Sequence, residues 1–198
     1  MNNEPLNITV ESALPKIPGP GKVRFSAFGI IDGEKKELGF VTLYWFRTFD
    51  DGSYGSEYFP YRLTEEDKFF SYGTEKEIIN PSKILIESLH SHMGDEIKGV
   101  GRTLIQAAIE YSCMKGCEGR IFEEAVRNSP AFYYKLGMRT ASAEMDAKIA
   151  KKIEESAGKR VTKNFGSNMM YLYKEGRAGW LEKIKTSPIF KSGLFISC

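Results

Sequence analysis

The stretch Glu96-Ile-Lys-Gly-Val-Gly-Arg-Thr103 is the part of the sequence that decides the fold. It stands between Lys83–His92, whose apolar start predicts a buried strand, and Arg102–Lys115, where apolar residues recur at helical spacing. The first N–H groups of a helix have no partner within the helix and carry partial positive charge, and glycine lets a phosphate approach the backbone. The stretch therefore predicts a pyrophosphate-binding turn, with an ordinary glycine-rich turn as the alternative.

A second stretch, Ser129-Pro-Ala-Phe-Tyr-Tyr-Lys-Leu-Gly-Met138, follows about one strand downstream and narrows the choice. Together the two stretches resemble the GNAT family of N-acetyltransferases. Gly99 and Gly101 match the last two fixed positions of the family's acetyl-CoA loop. The family's short helix is matched by Phe132, Tyr133, Lys135, Leu136 and Gly137. The specific resemblance covers roughly residues 83–138.

The chain departs from the family pattern at two positions. Glu96 stands where the family has Gln or Arg, so contact with a pyrophosphate there would rely on the backbone and on Lys98 or Arg102. Val126 stands where the family often has Asn, and Asn128 is near but out of register.

The order of predicted elements agrees with the fold that the resemblance implies. This is an α/β (α+β mixed) fold with a central mixed, mostly antiparallel sheet flanked by helices. We expect a single domain over residues 1–198, with a helical insertion near 140–166 and a C-terminal tail over 175–198. The strands are predicted at Leu6–Leu14, Val23–Ile31, Leu38–Phe46, Glu57–Leu63, Lys83–His92, Arg120–Val126 and Ser167–Lys174. The helices are predicted at Arg102–Lys115, from Ser129 to Gly137, at Ala143–Ala157 and around Trp180–Ile184.

The resemblance implies transfer of an acetyl group from acetyl-CoA to an amine, on a small molecule or a protein, by direct attack in a ternary complex. The alternative is a non-catalytic protein of the same fold that binds CoA or another ligand, and an interaction domain without CoA is a weaker possibility. The cofactor-binding residues implied are Leu89, His90, Ser91, Ile97, Lys98, Gly99, Val100, Gly101, Arg102, Thr103, Asn128 and Lys135.

Three catalytic tasks follow from that reaction: an acid for the thiolate, a base for the amine and a donor for the oxyanion. The resemblance gives the acid role to Tyr133, with a packing role as the alternative, and the donors to the backbone of Leu89–Ser91. For the base the order of preference is Glu87, then His90, then Glu124. Strand alternation predicts that Glu87 and His90 lie on opposite faces, unless a bulge intervenes.

Composition limits the remaining function classes. The chain has 198 residues, 27% of them charged, with a formal net charge of +2, which gives no reason to expect nucleic-acid binding. No apolar run approaches the length of a membrane span and no secretory signal is recognisable. The three cysteines and two histidines form no metal-ligand pattern, so we expect no metal and a cytoplasmic location. The acceptor and the oligomeric state stay open. The insertion helix is expected to affect the choice of acceptor and not the binding of CoA, with a solvent-facing helix that only covers the sheet edge as the alternative.

Overall fold

The computed structural model describes residues 7–13, 22–48, 54–55, 69–72, 75–78, 83–92 and 97–190. The predicted strand at residues 57–63 and Glu96 lie outside these ranges. The strands are β1 (Thr9–Ala13), β2 (Lys22–Ile31), β3 (Glu34–Thr48), β4 (Tyr54–Gly55), β5 (Phe69–Tyr72), β6 (Glu75–Ile78), β7 (Lys83–Ser91), β8 (Ile121–Val126), β9 (Arg139–Thr140) and β10 (Ser167–Tyr171). The helices are α1 (Val100–Met114), α2 (Ser129–Lys135), α3 (Ala143–Glu155) and α4 (Lys174–Thr186).

An eight-stranded sheet forms the centre of the described fold. Its strands lie side by side in the order β1, β2, β3, β7, β8, β10, β9, with β4 paired to β3, while β5 and β6 form a separate pair. Every pairing is antiparallel except that of β7 with β8. The predicted mixed, mostly antiparallel sheet flanked by helices is therefore confirmed.

The first hairpin forms where the Asp-Gly turn signal predicts it. Asp32 and Gly33 have positive φ angles of 54° and 79°, which is the backbone that a tight two-residue hairpin turn requires. The turn joins β2 to β3, and β3 then pairs with β7. The hairpin thus lies beside the strand that leads into the glycine turn.

Strands β7 and β8 form a fork. They are parallel neighbours only where Ile84–Ile86 face residues 121–123, and α1 is the crossover between them. Beyond Ile86 no described residue of β8 pairs with β7. Helix α1 packs on the sheet through buried residues that include Leu104, Ile105 and Ala108. Because this apolar face is fixed, the N-terminus of α1 is held at the mouth of the fork.

A β-bulge at Glu87 corrects the expectation that Glu87 and His90 lie on opposite faces. Leu43 pairs with Ile86 and Thr42 pairs with Ser88, so Glu87 is the extra residue on β7. An extra residue shifts the alternation of the side chains that follow it. Glu87 contacts Tyr44 and His90 stacks on Phe40, and both partners lie on the sheet face that points away from α1.

The chain after β8 differs from the predicted elements at two places. The last strand ends at Tyr171 and not at residue 174, because Lys174 begins α4, which is longer than the predicted Trp180–Ile184 segment. Helix α4 packs on α1, and its Trp180 indole N–H donates to the carbonyl oxygen of Leu136, just after α2, at 2.9 Å. Helix α3 lies on α2, with Ile149 buried beside Ala131 and Val161.

Candidate active site

The N-terminus of α1 has an open set of backbone donors. Gly99 stands at the N-cap with φ 96°, and no side chain caps the helix. The first helical hydrogen bond runs from the Thr103 N–H to the Gly99 carbonyl oxygen at 2.9 Å. The N–H groups of Val100, Gly101 and Arg102 precede that bond, so they have no partner within the helix. No acidic residue stands in the first turn of α1.

Gly101 brings α1 close to α2. A Cβ atom at Gly101 would lie 2.8 Å from Cζ of Phe132 and 3.7 Å from a methyl group of Leu89. Only a residue without a side chain fits this contact unless the Phe132 ring moves. The two stretches that carry the family resemblance therefore meet directly at the fork.

The open edge of β7 supplies further donors. The His92 N–H bonds to the Leu38 carbonyl oxygen at 2.8 Å, so His92 and His90 direct their N–H groups toward β3. Antiparallel pairs alternate, and Leu89 and Ser91 consequently direct their N–H groups away from β3. That direction is the mouth of the fork, where no described residue of β8 pairs with them.

A cavity of about 700 Å³ lies in the fork between β7 and β8. It is lined by Leu89, Ser91, Ile97, Lys98, Gly99, Val100, Gly101, Arg102, Asn128, Ser129, Ala131, Phe132, Tyr133, Lys135, Gly158, Lys159, Arg160 and Val161. Ten of the twelve predicted cofactor-binding residues are among them, and so is Tyr133. His90 and Thr103 lie outside the lining: His90 stacks on Phe40 on the other sheet face, and the Thr103 N–H is used within α1.

The described lining carries concentrated positive charge. Five of its residues are Lys or Arg, namely Lys98, Arg102, Lys135, Lys159 and Arg160, and no acidic residue is among the described ones. The whole chain has a formal net charge of only +2. A concave site with cations and free helix N–H groups attracts a multiply charged anion.

Residues 158–161, which follow α3, were not predicted at this site. They reach the cavity because α3 packs on α2 and because the connection to β10 is tied to the corner between β8 and α2. The Asn128 side-chain amide donates to the Val161 carbonyl oxygen at 3.4 Å, and the Phe165 N–H bonds to the Arg127 carbonyl oxygen at 2.7 Å. The segment after α3 thus lines the same cavity as the turn into α1.

Tyr133 is a buried residue of the cavity lining, and it interacts with Glu123 of β8. Burial raises the pKa of the Glu123 carboxyl to about 8, and the hydrogen bond with Tyr133 opposes this rise. Burial, followed by the charge and hydrogen bond of Glu123, raises the pKa of Tyr133 well above its ordinary value. At neutral pH the structure therefore favours a neutral carboxylic acid beside a neutral phenol.

The three predicted base candidates lie away from the cavity lining. Glu87 accepts a hydrogen bond from the Tyr44 hydroxyl at 3.1 Å and pairs with the Lys22 ammonium at 3.2 Å. The exposed Glu124 accepts a hydrogen bond from the Ser167 hydroxyl at 2.5 Å, and His90 is exposed against Phe40. Glu87 and His90 share one face after the bulge, which places them on the side of β7 opposite α1.

The described residues include no group of His, Cys, Asp and Glu that could hold a metal ion, and none of the described helices is long and apolar enough to cross a membrane.

Comparisons with known proteins give structural similarities only. No protein-family model and no curated protein matches the sequence. NAA60 of Arabidopsis thaliana in complex with acetyl-CoA is 15% identical over 79% of this chain and 78% of that chain, with a TM-score of 0.46. A mutant of the AtaT toxin bound to the C-terminus of the antitoxin AtaR and acetyl-CoA is 13% identical over 81% and 72%, with a TM-score of 0.42. A structure described as a bacterial toxin is 15% identical over 80% and 72%, with a TM-score of 0.44.

Proposed function

We propose that the chain is an acetyl-CoA-dependent N-acetyltransferase of the GNAT type, which transfers the acetyl group to an amine by direct attack in a ternary complex. The observation that carries this proposal is the cavity in the β7–β8 fork. It joins an uncapped helix N-terminus, an open strand edge and a buried tyrosine in one space. Acetyl-CoA needs these three features for its pyrophosphate, its thioester and its leaving thiol.

In this proposal the pyrophosphate binds the N–H groups of Val100, Gly101 and Arg102. The five cations of the lining compensate the remaining phosphate charge. The acyl end of the cofactor extends along β7, toward Tyr133. The proposed location of the enzyme is the cytoplasm, where the thiols of Cys113 and Cys117 stay reduced.

The chemistry divides between the two faces of β7. The acceptor amine has an ordinary pKa of about 10.4 and must lose a proton before it attacks the thioester carbonyl. We assign the role of the base that accepts this proton to Glu87 first and to His90 second. The bulge brings these two residues to one face of β7, and Glu124 is the third candidate. The N–H groups of Leu89 and Ser91 stabilise the oxyanion, and Tyr133 protonates the leaving thiolate.

The direct test is release of free CoA thiol from acetyl-CoA with a panel of small amines and amine-bearing peptides, together with calorimetric titration of acetyl-CoA. Tight binding and amine-dependent thiol release are expected. Binding without release for any amine would favour the alternative, a non-catalytic CoA-binding protein. Absence of binding would overturn the proposal.

Tyr133→Phe tests the acid role, because it removes the hydroxyl and keeps the ring. General acid catalysis contributes about a hundredfold to ten-thousandfold, and a thiolate with an ordinary pKa of about 8.5 is a fair leaving group. We therefore expect kcat and kcat/KM to fall together by at least about tenfold, with little change in acetyl-CoA affinity.

Tyr134→Phe is the matched control for this variant. Tyr134 is the next residue on α2, is only half-buried, and its ring contacts the Arg139 guanidinium at 3.8 Å. Full turnover by Tyr133→Phe, measured where chemistry limits the rate, would reduce Tyr133 to a packing residue.

A further inference from the structure

Glu123 lies at the closed end of the fork, where the pairing of β7 with β8 ends. It is the last residue of β8 that pairs with β7, opposite Ile86, and on its other side it faces Met170 of β10. The residue is only 8% exposed. One of its carboxylate oxygens, Oε2, is buried and has no hydrogen-bond partner among the described residues. An ionised carboxylate would be costly in this position, because a buried charge needs a compensating partner.

Helix α2 packs on β8, and the buried Tyr133 belongs to the same core cluster as Ile121 and Ala125, which stand on either side of Glu123. The Tyr133 hydroxyl acts on the Glu123 carboxyl through a hydrogen bond. The residues across from Glu123 on β7 and β10 are apolar, and Tyr133 on α2 is the titratable group that acts on it within the described chain. Glu123 is absent from the cavity lining, whereas Tyr133 is part of it. The carboxyl therefore stands behind the tyrosine as seen from the cavity.

We propose that Glu123 is a positioning residue that orients the Tyr133 hydroxyl toward the leaving sulfur and replaces the proton that Tyr133 gives up. This inference rests on the function proposed above. As the C–S bond breaks, the Tyr133 O–H donates its proton to the thiolate, which leaves as a neutral thiol. In the same step the Glu123 O–H donates its proton to the Tyr133 oxygen. The tyrosine ends neutral and the carboxyl ends ionised.

The relay removes an energetic obstacle. A tyrosinate in this buried place is strongly disfavoured, since burial raises the pKa of Tyr133 well above its ordinary value. Moving the negative charge to Glu123, whose pKa is about 8, costs much less. The proton returns to Glu123 from the bulk as product leaves, and the amine's own proton, released during the attack, keeps the overall reaction balanced.

Glu123→Gln is the decisive variant, because the amide keeps the shape of the neutral acid and cannot deliver a proton. We expect kcat to fall by at least about tenfold with an unchanged KM for acetyl-CoA. Wild-type kcat should fall as the pH rises through about 8, where Glu123 ionises, and the variant should lack this decline. Adding Tyr133→Phe to Glu123→Gln should cost little more than either change alone, because both remove one relay.

Asp146→Asn is a matched control. Asp146 is also a buried carboxyl with an unpartnered oxygen and a pKa raised by burial, but it lies at the start of α3 and bonds to Thr140. This variant should keep the wild-type decline of kcat near pH 8 and lose at most about twofold in kcat.

The pH dependence of the free energy of unfolding tests the ionisation of Glu123 without any substrate. Its pKa is about 8 in the folded protein against an ordinary value of 4.5, so the folded state binds more protons between these values. Wild-type resistance to urea should consequently fall as the pH rises from about 5 to 8, and Glu123→Gln should lack that part of the decline. An active wild type with an unaltered Glu123→Gln profile overturns the relay alone. A wild type that binds acetyl-CoA without turnover overturns the proposed function and the relay with it.

Discussion

Two segments of the chain, about 60 residues apart, line the same cavity, and only one of them could be predicted to do so. Residues 97–102 form the turn into α1, and residues 158–161 follow α3. Both bring basic residues to the cavity. The first segment is recognisable in the sequence by its glycines between a strand and a helix, whereas the second has no comparable local pattern. A local motif can therefore locate a site, whereas tertiary packing decides which other residues surround it.

The second segment depends on contacts made far from the cavity. Ile149 of α3 is fully buried against α2, which is worth about 1.5–3 kcal/mol by ordinary transfer values. The hydrogen bond from Asn128 to Val161 then fixes the end of the segment. The helix at 143–157 was predicted to act on the acceptor because it follows the CoA-binding elements in the chain. Nothing in residues 143–166 alone reveals the contacts that bring residues 158–161 to the cavity.

The largest expected effect tests the predicted turn. Gly99→Val places a branched side chain at φ 96° beside the helix donors, so it should weaken acetyl-CoA binding by about a hundredfold. Calorimetric titration of the purified variant measures this loss.

Gly116→Val is the control for backbone strain. Gly116 also has a positive φ, 70°, with nothing within 4 Å of a Cβ, and it lies at the other end of α1. Both variants carry a left-handed penalty of about 1–2 kcal/mol in stability. Equal affinities in the two variants would remove the turn from the binding site.

A smaller effect is expected from the second segment. The double variant Lys159→Ala, Arg160→Ala removes two of the five cations of the lining, so acetyl-CoA affinity should fall by about fivefold to twentyfold. The loss should shrink at high salt, because exposed charges are screened. Titrations at two ionic strengths check both points. An unchanged affinity would show that residues 158–161 do not contribute to acetyl-CoA binding and that the turn into α1 is the principal anion site.

The smallest effect on the cofactor is expected from α3 itself. Lys148 and Lys151 are exposed and lie outside the cavity lining, beside a shallow pocket next to Phe165. Lys148→Ala with Lys151→Ala should leave acetyl-CoA affinity within about twofold and change the KM of the acceptor. Steady-state kinetics with both substrates varied separates the two constants. A change confined to acetyl-CoA would mean that the helix and the loop after it act together on the cofactor.

Local patterns predicted most of the elements that hold the site. The buried strand before the glycines, the amphipathic α1 and the Ser-Pro start of α2 were all placed within a few residues, because each has its own periodicity or cap. The bulge at Glu87 was not predictable, since it arises from the pairing of β7 with β3. The end of β10 was misplaced because Lys174 begins a helix that is supported by packing on α1 and by the hydrogen bond from Trp180 to Leu136.

Glu123 was within reach of the sequence and was not chosen. It stands two residues after Ile121 and two before Ala125, both of which are fully buried on the core face of β8. Strand alternation therefore points Glu123 inward and Glu124 outward. Glu124 was ranked third as a base, although alternation alone turns Glu123 toward the core. That Tyr133 lies on the same side follows only from the packing of α2 on β8.

The fork also divides the backbone of β7 into two kinds of amide. Those paired with β3 exchange their hydrogens with solvent only when the sheet opens, because their bonds are part of the ladder. The amides of Leu89 and Ser91 point into the cavity, so their exchange is governed by whatever occupies it. Amide exchange at alternating residues of β7 should therefore report on two different events, the opening of the sheet and the binding of a ligand in the cavity.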